Sequence, residues 1–346
     1  MRFFVAIVFL TIGLGLAACG GTETALEPPP PPSVAESAIE ASGTIYYVNQ
    51  VGQPDFGIMS IDMASNQEST FFDIPDAGWA YEIDASDATN EIVFSYTPPP
   101  FDGPQFYDRI GLYTLPLDGG DVEPTPLIVP QQANEFFYDP IWMPDGRGIV
   151  YAHYVVIENN MQNYELTVEK YDIESGQSTV LAQNGFWPDV SPDGRLVTYL
   201  DINFETQSRS LWIVDINSEN ARELVGVEAF GDLDTPVFSP DGEWIYFVTI
   251  PKAKEANIWD RITGVRVAEA HGNHDTPGDW YRIPVAGGTP QKVTAESVIM
   301  LYGAFSPDET VFGYATMDGL YLLDQVANVY ELRYESRSMR NFTWGE

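Results

Sequence analysis

A tight-turn signal recurs at a fixed interval and constrains this chain more than any other feature. Ser191-Pro192-Asp193-Gly194 runs straight into a strand-forming stretch, Arg195 to Leu200. Met143-Pro144-Asp145-Gly146 does the same before Ile149-Val150-Tyr151, and Ser239-Pro240-Asp241-Gly242 before Trp244-Ile245-Tyr246-Phe247. A fourth copy, Ser306-Pro307-Asp308, has Glu309 in place of glycine. Asp145, Asp193 and Asp241 are each 48 residues apart, a period that marks propellers and solenoids. Proline presets φ at the first turn position, aspartate bonds to backbone two residues on, and glycine takes the positive-φ position. Asp145, Gly146, Asp193, Gly194, Asp241, Gly242 and Asp308 are therefore expected to reverse the chain between strands.

One period divides into four short strands. Around Ser191 these are Asp189-Val190, Leu196 to Asn203, Ser210 to Ile216 and Ala221 to Val225, separated by polar turns. Alternating or continuous apolar patterns within them fit half-buried and buried strands. Four antiparallel strands per period make a propeller blade. A fragment is left at each end: Gly43 to Val48 reads as a second strand with no first, and Arg340 to Gly345 as a first strand with no second. The expected fold is all-β, a six-bladed β-propeller of four-stranded antiparallel blades. The C-terminal strand should pair into the first blade and so remove the open edge. The repeat, with its Ser-Pro-Asp-Gly turns, resembles the TolB-type propeller repeat over about residues 43–346.

The N-terminus reads differently. Met1-Arg2 precede an apolar run from Phe3 to Ala18 that ends in Leu16-Ala17-Ala18-Cys19-Gly20. The run is too short for a membrane span and ends in small residues, as a secretory signal does. Its end resembles the bacterial lipoprotein signal, which implies removal of residues 1–18 and lipidation of Cys19. Cys19 is the one cysteine in the chain, so no intrachain disulfide and no cysteine-based metal cluster can form. Residues 19–42, with five consecutive prolines from Pro28 to Pro32, read as a semi-rigid, largely disordered tether. The propeller domain is expected over 43–346, extracytoplasmic, monomeric, and held to a cell-envelope membrane through the lipid alone.

Charge narrows the partners. Fifty-one acidic residues against 16 basic give a net charge of −35, which repels phosphate backbones and argues against nucleic acid. A negative surface also keeps an exposed protein soluble, and that plainer reading outweighs a specific role in binding cations.

In an antiparallel blade the Ser-Pro-Asp-Gly turns all lie on one face, and the connections between the second and third strands lie on the other. Those connections are uneven. Thr97 to Arg109 holds Phe101, Phe106 and Tyr107, and Pro251 to Gly278 is the longest, long enough to be functional or disordered. It carries Trp259, His271 and His274; the His-x-x-His-Asp cluster could supply metal ligands, but a solvated or packing loop is preferred and no metal is assigned. His153, among aromatic residues, is expected to be structural. On the same face the innermost strands begin with Tyr81, Glu82, Asp139, Trp187, Thr235, Tyr302 and Asn341 at aligned or adjacent positions, expected to ring the mouth of the channel. Aromatic and acidic groups there suit a cationic, sugar or peptide ligand. The plainer reading is that they only pack the starts of the blades.

Two functions follow. One is a binding or scaffold module for an envelope protein, peptide or glycan. The TolB resemblance implies envelope protein contacts, although no stretch resembles the N-terminal α/β domain that TolB itself carries. The other is a propeller enzyme. Related propellers precede the hydrolase domain of prolyl-oligopeptidases and dipeptidyl-peptidases, but no Gly-x-Ser-x-Gly elbow is present and no room for such a domain is expected after Glu346. Lactonase-like or dehydrogenase-like chemistry would need a channel cation such as Ca2+, with Glu82, Asp139 and Asp234 as its few candidate ligands. Binding without catalysis or a cofactor is the expected reading.

Overall fold

Each turn motif closes on itself through the atoms its sequence supplies. In the computed structural model, the Ser191 hydroxyl donates to Asp193 Oδ1 at 2.7 Å and accepts from the Leu196 amide at 2.9 Å; Arg195 N also donates to Asp193 Oδ1 at 3.1 Å. Gly194 sits at φ +69°. Ser239-Asp241-Gly242 repeats this hydroxyl-to-carboxylate bond and positive φ, and Ser306-Asp308 repeats the bond. Hydrogen bonds from Ser191 and Ser306 hold Asp193 and Asp308 below the ordinary carboxylate pKa. These carboxylates serve strand reversal. Glu309 occupies the glycine position at φ +65°, where a Cβ costs roughly 1–2 kcal/mol. Glu309→Gly is expected to raise the melting temperature by roughly 1–3 °C, part of the relief being offset by glycine's larger unfolded-state entropy. A fall in a thermal unfolding scan would contradict this.

The structure describes residues 30–49, 56–75, 78–99, 109–119, 122–157, 164–206, 208–217, 220–250, 277–294, 300–336 and 339–346. These form six sheets arranged as a propeller, each with four antiparallel strands and one with a fifth strand added. The inner strands are Trp79–Ser86, Glu135–Trp142, Gly185–Val190, Asp232–Phe238, Met300–Phe305 and Met339–Gly345. The last pairs antiparallel with Thr44–Asn49, so the two ends of the domain complete the first blade as expected.

Burial grades outward across each blade. Glu91–Thr97 and Val311–Thr316, second strands, are almost wholly buried, while the first four residues of the outer strand Gln67–Asp73 are exposed. The core lies between blades: one cluster joins Leu200 and Leu211 of the fourth blade to Leu233 and Phe247 of the fifth and Leu166 of the third. Glycine is required where the sixth blade meets the fifth, since a Cβ on Gly303 would lie 2.5 Å from Phe312 and 2.9 Å from Trp280.

The expected tether differs from the structure over its last dozen residues. Ser33–Val34 pair in parallel with Val329 and Tyr330, adding a fifth strand to the sixth blade. Ile39 is buried among Ile45, Leu320 and Trp344, and the Trp344 indole donates to Ser42 O at 2.9 Å. The apolar Ala35, Ile39 and Ala41, packed on the core, thus turn part of the segment into a cover for an open strand edge, which would otherwise invite pairing with other chains. Cys19 lies outside the described residues.

Candidate functional site

The inner strands bring six positions into one ring. Glu82, Asp139, Trp187, Thr235, Tyr302 and Asn341 all line a central cavity of about 280 Å3 that runs toward Pro192 and Pro240 of the turn face. Glu82, Asp139 and Trp187 also line a second chamber of about 350 Å3, walled by Tyr138, Tyr154 and Tyr164. Tyr154 lies near the end of its strand and Tyr164 begins the next, so this chamber is at the face opposite the turns. Tyr81 lines neither cavity. The pleat sends neighbouring side chains to opposite faces, and Tyr81 packs edge-on against Tyr138 at 5.7 Å, behind the wall. Trp259, His271 and His274 lie outside the described residues, as do Phe101, Phe106 and Tyr107.

Each inner strand carries a β-bulge at or beside its ring position. Three ring residues adopt positive φ: Asp139 at +52°, Trp187 at +46° and Thr235 at +42°. For a β-branched or bulky side chain this is an outlier costing roughly 1–3 kcal/mol, of the kind concentrated at functional sites. A sequence signal for it exists that the turn motif overshadowed. Pro140, Pro188 and Pro236 follow these residues at the same 48-residue interval, and a proline inside a strand belongs at a bulge, where no ladder N–H is needed.

Several polar residues of the inner strands bridge neighbouring blades. Asn341 Oδ1 accepts from Ile83 N at 2.9 Å and Thr343 Oγ1 from Ala85 N at 3.2 Å. Asp84 accepts from Trp142 N at 2.8 Å, Asp139 from Trp187 N at 3.3 Å and Asp189 from Phe238 N at 2.6 Å. Asn341 is therefore a structural bridge as well as a ring member, and Asp139 serves the fold with one oxygen. Glu82 differs: its Oε2 is buried with no hydrogen-bond partner.

Burial sets the electrostatics. It pushes Asp84 up to about 6 and Asp189 to about 7, against the bonds that each accepts. Glu82 is raised chiefly by burial, and Asp139 well above its ordinary value by burial, then by the charges of Glu82 and Asp234. Arg209 is the buried counter-cation. It forks onto Asp232 with Nε at 2.9 Å from Oδ1, approaches Asp234 at 3.9 Å and lies 5.4 Å from the centre of the Trp187 ring. Among the described residues, no group of three or more His, Cys, Asp or Glu side chains is placed to hold a metal ion.

These shifts give a sign to pH dependence. Asp84 and Asp189 titrate near 3.8 when unperturbed, so between about pH 4 and 7 the folded state holds more protons than the unfolded one. Stability then falls as pH rises through that window. The double variant Asp84→Asn, Asp189→Asn is expected to melt several degrees above wild type at pH 8 and close to it at pH 4. An unchanged slope of melting temperature against pH would contradict the assignment. His153 slopes the same way. Burial lowers its pKa, but Glu169 at 2.9 Å and Glu135 at 3.1 Å outweigh that and raise it overall, so its contribution is lost as pH rises past its folded value. It is a structural residue, stacked on Phe137 at 4.7 Å.

No protein-family model matches the chain. It is 26% identical over 216 residues to a protein named dipeptidyl-peptidase 5 from Porphyromonas gingivalis, covering 53% of this chain and 31% of that protein. It is 28% identical over 166 residues to an uncharacterized protein of Agrobacterium fabrum, covering 46% of this chain and 50% of that one. The chain thus matches half or less of the length of these relatives. Among solved structures it is similar to TolB from Acinetobacter baumannii, with a TM-score of 0.62 and 15% identity over 88% of this chain and 66% of that one. A putative TolB from Agrobacterium tumefaciens gives 0.59 and 18%, over 88% and 92%. The chain has the TolB-like six-bladed propeller fold. No helix among the described residues is long and apolar enough to cross a membrane.

Proposed function

We propose that this is an extracytoplasmic binding propeller, anchored through a lipid on Cys19, that holds a ligand at the channel mouth on the face opposite the Ser-Pro-Asp-Gly turns. Among protein, peptide and glycan ligands, a peptide segment of an envelope protein is the best supported. One observation carries the reading: at that mouth, a costly backbone conformation at Asp139 and a β-bulge at Glu82 present two carboxyls to an aromatic chamber. The turn face offers carboxylates already satisfied by their own hydroxyls and amides. The name of the Porphyromonas relative supports a peptide over a glycan, and the TolB-like fold fits protein interaction. Strong negative charge weighs against nucleic acid.

The alternative, a propeller enzyme working through a channel cation such as Ca2+, has Glu82, Asp139 and Asp234 in hand but no third-ligand cluster among the described residues. Hard cations of this type take six or more oxygens, so binding is the stronger reading.

The test is cross-linking in the native envelope, with identification of what is held. Deleting 252–276 should remove a defined cross-linked partner if the long connection marks the binding face; unchanged capture overturns that part. Cys19→Ser should move the protein from the membrane to the soluble fraction, and continued membrane retention would contradict anchoring through Cys19.

A further inference from the structure

Resting on that reading, we infer that the aromatic chamber at the channel mouth receives an organic ammonium group, of the kind carried by a lysine side chain, between Glu82 and Asp139. The chamber, about 350 Å3, lies within the range of small-ligand sites. Its walls are tyrosine rings that brace one another: Tyr138 meets Tyr154 edge-on at 5.3 Å, and Tyr154 stacks on Tyr164 at 5.8 Å. Such rings carry negative faces that attract a cation, most strongly where water is excluded.

Among the described residues, no cationic side chain forms an ion pair with Glu82 or Asp139. Asp139 is 7% exposed and accepts hydrogen bonds from Trp187 N and from the Trp187 side chain. Glu82 Oε2 is buried and unpartnered, an arrangement that costs free energy unless something fills it. Arg209 is committed to Asp232 and lies over the Trp187 ring. A primary ammonium has three donors and no acceptor, which suits two carboxylates in an aromatic surround. A metal ion suits it poorly, because two carboxylates fall short of the oxygen shell a hard cation needs and tyrosine faces add none. The bulge backbone at Asp139 and Trp187 fixes both side chains toward the chamber before any ligand arrives, so little ordering remains to be done on binding.

The experiment titrates the purified full chain calorimetrically with Nα-acetyl-lysine methylamide, with its uncharged counterpart Nα-acetyl-norleucine methylamide, and with CaCl2. The lysine probe is expected to bind at least tenfold more tightly than the norleucine probe, and Ca2+ should not displace it. Glu82→Gln and Asp139→Asn should each weaken the lysine probe at least tenfold while melting no lower than wild type, because each removes a poorly solvated charge without changing shape. Asparagine also tolerates the positive φ at 139. Should either variant fail to fold, Tyr164→Ala, at the half-buried rim, is expected to weaken the lysine probe several-fold. Equal affinity for the two amino-acid probes, displacement by Ca2+, or full-strength binding by the folded carboxamide variants would overturn the inference. If the lysine probe fails yet an envelope partner still cross-links to the mouth, the inference falls and the proposed function stands. If the partner cross-links to the turn face, the function reading falls with it.

Discussion

Removing residues 339–346 is expected to leave a chain that does not form the propeller, seen as loss of the cooperative thermal transition and rapid proteolysis. Met339–Gly345 is the inner strand of the first blade and pairs along Thr44–Asn49. Its loss strips Met339, Phe342 and Trp344 from a cluster that includes Ile45, Tyr47 and Leu322. Burial of three such side chains contributes roughly 1.5–3 kcal/mol each, comparable in sum with the whole net stability of a typical domain. The strand also holds its neighbour: Asn341 and Thr343 accept hydrogen bonds from Ile83 and Ala85, so the second blade loses its partners as well. A truncated chain that melts cooperatively near the wild-type temperature would contradict closure through the two ends.

Arg209→Met should cost about 3–5 kcal/mol, the range for stranding a buried charge by removing its partner, and lower the melting temperature by roughly 10 °C. Arg209, Asp232 and Asp234 are all under 8% exposed, and the guanidinium ties the third strand of the fourth blade to the inner strand of the fifth. The loss should come from uncompensated carboxylates more than from missing contacts. Adding Asp232→Asn and Asp234→Asn to the Arg209→Met chain should therefore recover most of it, and the single variant's deficit should shrink toward pH 4. A deficit independent of pH and of these additions would place the cost in packing instead.

The parts of the fold written locally were legible in the sequence. Ser191, Asp193 and Gly194 carry their own hydrogen-bonding instructions, so the turns and the 48-residue period gave six blades and the closing strand. Counting from those turns also aligned Glu82, Asp139, Trp187, Thr235, Tyr302 and Asn341, which the structure gathers around one cavity. What depends on pairing between distant strands was not legible. Arg209 meets Asp232 only through the packing of one blade on the next, and Asn341 reaches Ile83 across 258 residues. Tyr81 was assigned to the ring because a shift of one residue changes the face a side chain points to, and the bulges that set that face are invisible in alternation. Their signal lay in Pro140, Pro188 and Pro236. The proline run makes residues 33–42 read as tether, while Ala35, Ile39 and Ala41, packed on the core, decide where they dock.

The central claim is that the face opposite the turns, at the channel mouth, is where this protein meets its ligand. Its most direct measurement places a photo-reactive amino acid at Tyr164, on the rim of the aromatic chamber, or at Arg195, immediately after a Ser-Pro-Asp-Gly turn, and irradiates the protein in its native envelope. A defined cross-linked product from position 164 and none from 195 is the expected result; the same product from 195 and none from 164 would contradict it.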